Sequence, residues 1–401
     1  MNKHKKPLVI YIGIGAVVIL LNVVAWNSTA FCDAYIKTVF PLWVNTYGRL
    51  TGLAPFSVGE VMLALGVVLV VLALVLWAPW IVASIVSHRK RAGADLHGGK
   101  PAAGGGIAMI ICKISKGFYL FFAWTLLIVS LVMTLNCFIL YHASTFSEIY
   151  FGREHEAEYD LEDLITVRNM VVEECNQLSL AVERDENGTI IYHKDIEEVA
   201  IAAMQELGKT YGHLDGFYPR PKPLYTSDFF CQQYMCGYYF PFSMEANYNN
   251  VMYIMNKPST MCHELAHLRG YIFEDEANFI SFLACIQSED IVFRYSGYLS
   301  VLNYLDNDFY KAVGRDREAY LAQPVITAQV IEDNVFVTGE EWDRINNKAL
   351  IDTETVDQVS DTLVDVTLKV NGVSDGMISY NRVVRLLLQY YSLEGLLHKI
   401  N

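Results

Sequence analysis

The chain has 401 residues, of which 53% are hydrophobic and only 18% are charged, and its formal net charge is −14. This composition is too apolar for an ordinary soluble protein. The excess of acidic residues argues against binding to nucleic acid or to anionic lipid head groups, because like charges repel.

Three apolar runs account for the composition and predict transmembrane helices at about residues 7–26, 61–86 and 118–141. Each run is close to the ~20 residues that cross a ~30 Å hydrocarbon core. A cleaved signal peptide is the alternative interpretation of the first run. That run is longer than a usual signal-peptide core and lacks a clear small-residue cleavage site, so we expect an uncleaved anchor in a lipid bilayer.

Basic residues are concentrated before the first span and between the second and third spans. Because cytoplasmic loops are enriched in lysine and arginine, the N-terminus and the loop at 87–116 are predicted to be cytoplasmic. Within that loop, Gly98–Gly106 is typical of a flexible linker. Three crossings then predict a membrane domain at 1–141, with a charge of +8, and an extracellular domain at 142–401, with a charge of −22.

The extracellular domain is predicted to begin with helices at Leu161–Val182 and Lys194–Leu207, where apolar residues recur with a helical period. Residues 217–257 are rich in Tyr, Phe and Pro and indicate short strands, with Gly237–Phe242 and Asn250–Met255 as candidates. Such a strand suits pairing with an extended peptide, or else a small sheet that only stabilises the fold. Further helices are predicted at Tyr295–Tyr310, Thr353–Lys369 and Tyr380–His398.

The eight cysteines offer one candidate disulfide. Cys231 and Cys236 are close enough in sequence to pair outside the cell. Cys262 and Cys285 are expected to be buried as small apolar residues. The chain has no Cys-x-x-Cys pair, so a structural zinc knuckle is not expected.

Residues 263–267 read His-Glu-Leu-Ala-His, which is the zinc-binding signature of metallopeptidases. On a helix, His263 and His267 lie one turn apart on one face, so both imidazoles can bind the same Zn²⁺. Glu264 lies beside them and is placed to take a proton from a metal-bound water. The alternative is a surface helix that carries these polar residues by chance.

The residues around this motif favour the zinc interpretation. Ser259 or Thr260 is placed to cap the start of the helix, and Gly270 is placed to end it. A second helix is predicted from about Glu274 through Leu283, because apolar residues recur there at helical spacing. Two helices joined by a short turn can direct their ligands at one point.

A carboxylate of the second helix is the expected third ligand. Glu274 and Asn278 are four residues apart, which resembles the Glu-x-x-x-Asp element of gluzincins, where Glu binds zinc and Asp supports a ligand histidine. Asn278 can accept a hydrogen bond, but it carries no charge. Glu276 remains the alternative ligand, and Asp275 is the least favoured.

The whole arrangement resembles the bacterial family known as domain of unknown function 3810. The resemblance rests on the N-terminal spans, the motif at 263–267, Gly270 and the run Glu274–Phe279. It covers nearly the whole chain and implies a zincin-like membrane protein, without implying a substrate. Other segments that look familial are Pro55–Glu60, Phe240–Phe242 with Glu245–Asn247, and Ser379–Val384.

Two functional hypotheses follow. The first is an outward-facing zinc metallopeptidase that hydrolyses peptide or protein substrates with Glu264 as the general base. The second is a zinc-binding membrane sensor or scaffold without turnover, and the intact Glu264 counts against it. A cationic or phenolic group should stabilise the oxyanion in the first hypothesis. The candidates for that role are Tyr380 with Arg382, and also Tyr271 and Arg269.

Overall fold

The computed structural model shows a mostly helical protein with one small three-stranded sheet among the residues that it describes. This agrees with the predicted combination of apolar helices and a mostly helical α+β part. The predicted linker at Gly98–Gly106 falls almost wholly outside the described residues. The described residues are 5–97, 106–152, 159–358, 360–361 and 380–397.

Contacts divide the chain into two compact units. The first contains Met1–Val23 and Gly59–Thr134, and the second contains Val24–Val58 and Leu135–Asn401. Among the described residues up to 150, the α- and π-helices are, in chain order, α1 (Lys5–Asn27), α2 (Thr29–Thr38), α3 (Phe40–Trp43), a π-helical turn (Val44–Gly48), α4 (Arg49–Gly52), α5 (Val58–His97), α6 (Gly106–Met133), a second π-helical turn (Thr134–Phe138) and α7 (Phe146–Tyr150).

Within the described part of the chain, three helical stretches are long and apolar enough to cross a membrane, at Lys6–Asn27, Val58–Ile85 and Met109–His142. Their mean hydropathies are 2.7, 3.0 and 2.2. The three predicted spans are therefore confirmed as apolar helices of spanning length. The third begins earlier than predicted, because the helix continues through the two charged residues Lys113 and Lys116.

The second unit contains the sheet and the remaining helices. The predicted helices at Leu161–Val182, Lys194–Leu207 and Tyr295–Tyr310 are confirmed with small shifts, at Leu161–Ala181, Ile196–Thr210 and Ile291–Ala312. Of the predicted helix at Thr353–Lys369, residues 353–358 are helical and most of the rest lies outside the described residues. The elements are α8 (Leu161–Ala181), α9 (Ile196–Thr210), β1 (Lys222–Pro223), α10 (Ser227–Cys231), β2 (Gly237–Phe240), β3 (Glu245–Tyr248), α11 (Lys257–His267), α12 (Glu274–Ile286), α13 (Ile291–Ala312), α14 (Arg317–Leu321), α15 (Ala328–Asp333), α16 (Gly339–Lys348) and α17 (Tyr380–Leu393).

The core of the second unit forms where α8, α9, α11, α12, α13 and α17 turn their apolar sides towards one another. Apolar burial of this kind supplies most of the stability of packed helices. One cation is enclosed in this core: Arg168 is fully buried and forms an ion pair of 2.7 Å with Asp306. Among the largest fully buried apolar side chains are Met204, Leu207, Phe279, Phe282, Phe293 and Phe309.

The sheet has the strand order β1-β3-β2, with β1 parallel and β2 antiparallel to β3. The prediction of an edge strand at Gly237–Phe242 is confirmed by β2. The predicted strand at Asn250–Met255 is wrong, because the chain turns there and then forms a 3₁₀-helix at Ile254–Asn256. The turn is made by Asn249, whose side-chain oxygen accepts a hydrogen bond of 3.0 Å from the backbone of Val251.

The disulfide considered between Cys231 and Cys236 is absent, since both residues are free thiols. The Cys231 thiol is buried and lies 3.2 Å from the side-chain nitrogen of Asn249. Cys262 and Cys285 are fully buried, as expected, with their sulfur atoms 3.9 Å apart.

The segment at 24–58 is folded into the second unit by polar contacts with later residues. The Asp33 carboxylate accepts hydrogen bonds of 2.8 and 2.9 Å from the backbone and hydroxyl of Ser144. The Thr51 hydroxyl donates a bond of 2.7 Å to the carbonyl of Ser243, in the turn between β2 and β3.

A buried ion pair between Lys222 and Glu245 strengthens this junction. The two side chains are 6% and 2% exposed. The Lys222 ammonium also donates to the carbonyls of Thr51 at 2.8 Å and Phe56 at 3.0 Å. A buried charge needs such partners, because an unpaired one would be strongly destabilising. The residues after α4 are thereby tied to the sheet.

Candidate metal centre

α11 carries both histidines of the motif and the glutamate between them. The helix begins at Lys257 with Pro258 in its first turn. Backbone N–H groups in the first turn have no partner within the helix, so the N–H that proline lacks costs no hydrogen bond there. The predicted capping by Ser259 or Thr260 is wrong, because the helix starts before either residue.

His263 and His267 face each other across one turn of α11. Their Nε2 atoms are 3.1 Å apart. Nδ1 of His263 lies 2.9 Å from Oδ1 of Asn278, and Nδ1 of His267 lies 2.7 Å from the carbonyl oxygen of Tyr271. Because both oxygens accept hydrogen bonds, each ring holds a proton on Nδ1 and directs Nε2 at a common point.

Gly270 makes the turn that brings α12 back to the histidines. Its φ of +94° lies in the left-handed region that favours glycine. A Cβ at this position would also lie 2.9 Å from Cγ2 of Ile36, so α2 packs against the turn with no room for a side chain. The prediction that α11 ends near this glycine and that the next helix opens near Glu274 is confirmed.

Glu274, the first residue of α12, completes a cluster of three residues. Its Oε2 lies 3.0 Å from Nε2 of His263, and its Oε1 lies 3.8 Å from Nε2 of His267. One potential ligand atom from each residue lies within 4.8 Å of the others. Two imidazole nitrogens and a carboxylate oxygen form a donor set that zinc accepts in catalytic sites, so these residues fit the ion. The Glu274 side chain is 52% exposed, which opens the cluster to solvent on that side.

Their surroundings shift the pKa values of the two histidines in opposite directions. Burial lowers the pKa of His263, but the hydrogen bond and the charge of Glu274 outweigh burial and raise this pKa to about 9. Burial, together with the charge of His263, lowers the pKa of His267 to about 4.

Glu264 lies beside this cluster with one carboxylate oxygen unengaged. The residue is 4% exposed. It accepts a hydrogen bond from the backbone N–H of Tyr239, while its Oε2 has no hydrogen-bond partner in the part of the chain that the structure describes. Burial raises the pKa of Glu264 to about 8, although the charge of His263 opposes this shift. Such a carboxylate is suited to taking up a proton.

The edge strand β2 lies directly against α11 at Gly237. A Cβ at this position would lie 2.5 Å from the carbonyl oxygen of Asn247 and 2.8 Å from Oε1 of Glu264. Only glycine therefore allows the strand to approach the motif so closely. Sequence reasoning did not include Gly237 or Tyr239 among the site residues, and its one signal for them was the predicted edge strand.

Glu276 and Arg382 lie in a different network from the histidines. Glu276 is 1% exposed and accepts hydrogen bonds from the backbone of Ser147 at 3.0 Å and its hydroxyl at 2.6 Å. Arg382 on α17 pairs with Glu276 at 3.0 Å and with Asp275 at 3.0 Å. This network joins α7, α12 and α17. It also occupies the carboxylate of Glu276, the residue considered as the alternative to Glu274 for the third ligand.

The other candidates for stabilising an oxyanion are also engaged or undescribed. Arg269 donates hydrogen bonds to the carbonyl oxygens of His213 and Asp215. Tyr271 is 6% exposed and packs in the core. Tyr380 is the first residue of α17, and its side chain lies outside the described part of the structure.

The structure thus brings together His263, Glu264, His267, Glu274 and Asn278. A family model described as a protein of unknown function (DUF3810) matches residues 35–388 of the chain. No curated protein and no solved structure matches it.

Proposed function

We propose that this chain, which belongs to the DUF3810 family of proteins of unknown function, is a membrane-anchored zinc metallopeptidase with a zincin-like, gluzincin-type unit. The observation that carries the proposal is the convergence of His263, His267 and Glu274 beside Glu264. The three residues provide a zinc donor set, and the fourth provides a buried carboxylate oxygen without a partner among the described residues.

The ligand residues have defined tasks in the proposed site. His263, His267 and Glu274 would hold the metal through two imidazole nitrogens and a carboxylate oxygen. Zinc bound there supplies a Lewis acid that polarises a carbonyl group and acidifies water. Asn278 and the carbonyl of Tyr271 fix the two imidazole rings through Nδ1.

Glu264 acts as the general base and then as the general acid. Its Oε2 accepts a proton from the attacking water as the new C–O bond forms, and it delivers that proton to the amine as the C–N bond breaks. The hydrogen bond from Tyr239 holds the carboxylate in place while Oε2 exchanges the proton.

A non-catalytic zinc sensor or scaffold is the alternative. Such a protein needs the three ligands but gives no task to Glu264. Burying a carboxylate oxygen without a hydrogen bond is costly, so a fold that only binds zinc would gain by losing it. The distribution of basic residues supports a cytoplasmic N-terminus, with the proposed catalytic unit outside the cell.

The test uses the full-length protein purified in detergent. Metal analysis should find one zinc per chain, and His263→Ala or His267→Ala should lose it, because two remaining protein ligands hold zinc poorly. Full occupancy in both variants would end the zinc proposal.

Hydrolysis is measured with a library of quenched fluorescent peptides. Glu264→Gln should keep its zinc and lose at least ~10²-fold in rate. The matched control is Glu289→Gln, which removes the same charge from an exposed residue just beyond α12 and should change neither quantity. Zinc binding without cleavage of any peptide by the unaltered protein would favour the sensor or scaffold.

A further inference from the structure

The segment between the first two spans has both of its ends at the membrane. The first apolar span ends at Asn27 and the second begins at Val58. Residues 28–57 therefore start and finish at the same surface of the bilayer. Within them, α2, α3, the π-helical turn and α4 follow one another almost without a break, so a helical segment is anchored to that surface at both ends.

The outward side of this segment carries large apolar side chains. Leu42, Leu50 and Leu53 are 61%, 63% and 81% exposed, and Phe56 is 55% exposed. The leucines recur about one or two helical turns apart and lie on one side. The opposite side of the same helices is buried at Phe40, Val44, Gly48 and Thr51.

A helix surface that faces water normally carries charged residues. Between residues 39 and 57 the only charged residue is Arg49. Its guanidinium lies 3.6 Å from the centre of the Phe217 ring, so this charge is held against the protein itself. Thr46 is exposed between Leu42 and Leu50, and its hydroxyl donates a hydrogen bond to the carbonyl oxygen of Leu42. Scattered exposed leucines are ordinary, but an exposed side of leucines with its one hydroxyl already hydrogen-bonded, on a segment tied to the bilayer at both ends, fits lipid.

The inner side of the same segment contacts the elements of the metal centre. Ile36 fills the space at Gly270, in the turn between the two ligand-bearing helices. A Cβ at Gly48 would lie 3.3 Å from the carbonyl oxygen of Met244, in the turn that joins β2 to β3. The surface on which this segment rests is therefore close to the metal centre.

We infer that residues 39–56, the interfacial segment, lie in the interfacial layer of the bilayer and hold the metal centre at the membrane surface. The inference names a substrate class and in that respect rests on the proposed function: the peptide bonds that are cut lie in membrane-anchored polypeptides, close to the anchor. A polypeptide free in solution reaches the same centre only by diffusion.

The membrane contact is tested on the full-length protein in phosphatidylcholine nanodiscs, with a fluorescent amino acid in place of Leu50 or Leu53. Brominated acyl chains should quench both positions, and aqueous iodide should quench neither. Leu180 and Leu350 are 83% and 102% exposed; as matched controls they should show the opposite pattern. Iodide quenching at positions 50 and 53 as strong as at position 180 would overturn the inference.

The substrate class is tested in phosphatidylcholine vesicles with one casein-derived quenched peptide, either free or carrying a palmitoyl anchor. At equal bulk concentration the anchored form should be cleaved at least about tenfold faster, because the interfacial segment holds the metal centre at the surface where the anchored peptide is concentrated. Leu50→Lys combined with Leu53→Lys should remove this preference and leave the rate on the free peptide unchanged. Leu180→Lys is the control for adding a charge.

The outcomes separate this inference from the proposed function. Equal rates on the two peptide forms, or a preference that survives both lysines, would overturn the substrate class. Cleavage of neither form would end the proposed function and its substrate class together. The quenching measurement needs no catalysis, so in that case it would still decide the membrane contact.

Discussion

The side-chain amide of Asn278 is expected to contribute to zinc affinity at the metal centre by orienting His263. Its Oδ1 accepts the hydrogen bond from Nδ1 of His263 at 2.9 Å, which fixes the ring without adding a charge. Asn278→Ala should therefore keep the three ligands but weaken zinc binding by ~10–100-fold, as loss of such a supporting partner usually does. Titration against a competing chelator measures the change.

Asn278→Asp is the control, because it keeps an acceptor at the same place and should bind zinc at least as tightly as the unaltered protein. Unchanged affinity in Asn278→Ala would mean that His263 is oriented by something else.

Glu274 and Glu276 should respond in different ways to the same substitution. Glu274→Gln removes the carboxylate next to both imidazoles and should weaken zinc binding by more than the ~10–100-fold expected for a supporting residue. Glu276→Gln disturbs the contacts with Ser147 and Arg382, so it should lower thermal stability with little effect on zinc. Metal titration and a melting curve on each variant distinguish the two, and a larger zinc defect in Glu276→Gln would reverse the ligand assignment.

The sequence predicted those parts of the site that follow from helical geometry. The spacing of His263 and His267, the turn at Gly270 and the position of Glu274 need only a helix, a turn and a second helix. The carbonyl of Tyr271 could not be predicted, because every residue has one. The role of Gly237 could not be predicted either, because its contact with Glu264 depends on how a strand packs against a helix.

At the scale of the elements, the small sheet was the part least accessible to sequence reasoning. The aromatic run at Gly237–Phe242 indicated an edge strand correctly. The run at Asn250–Met255 is equally rich in strand-forming residues, but Asn249 turns the chain before it. Local propensity cannot detect a turn that is made by a side chain and fixed by tertiary contacts.

The buried pair of Lys222 and Glu245 should be a strong determinant of stability. Lys222→Met leaves the Glu245 carboxylate buried without its cation and should lower the free energy of unfolding by about 3–5 kcal/mol. The same substitution at Lys209, whose ion pair with Glu206 lies on the surface, should cost less than about 1 kcal/mol. Melting curves in detergent give the comparison. Equal decreases in melting temperature for the two variants would show that the buried pair contributes no more to stability than the exposed pair.

At the scale of the whole molecule, residues 24–58 and 135–401 form one compact unit although two apolar spans separate them in the chain. Segments that pack together must be on the same side of a bilayer, so an even number of crossings separates them, and two spans satisfy this condition. The division at residue 141 follows from the spans and the basic residues and stays a prediction, because neither carries information about which loops pack together.

The orientation has a direct test. A tag at the C-terminus should be cut by protease added to intact cells, whereas a tag inserted at Gly104 should be protected. The expectation follows from three spans and from the basic residues near the second loop. Lysed cells, in which both tags should be cut, provide the control, and the reverse pattern in intact cells would invert the orientation.

The contact between Ile36 and Gly270 also sets an order of events during biosynthesis. Gly270 is synthesised 234 residues after Ile36, which at ~5–20 residues per second takes roughly ten to fifty seconds. Throughout that interval Ile36 lacks its partner at Gly270, although Cys32 can already donate a hydrogen bond to the carbonyl oxygen of Ala25. The helices between the first two spans are therefore synthesised long before the ligand-bearing helices that complete their packing, and their apolar sides need another cover in the meantime.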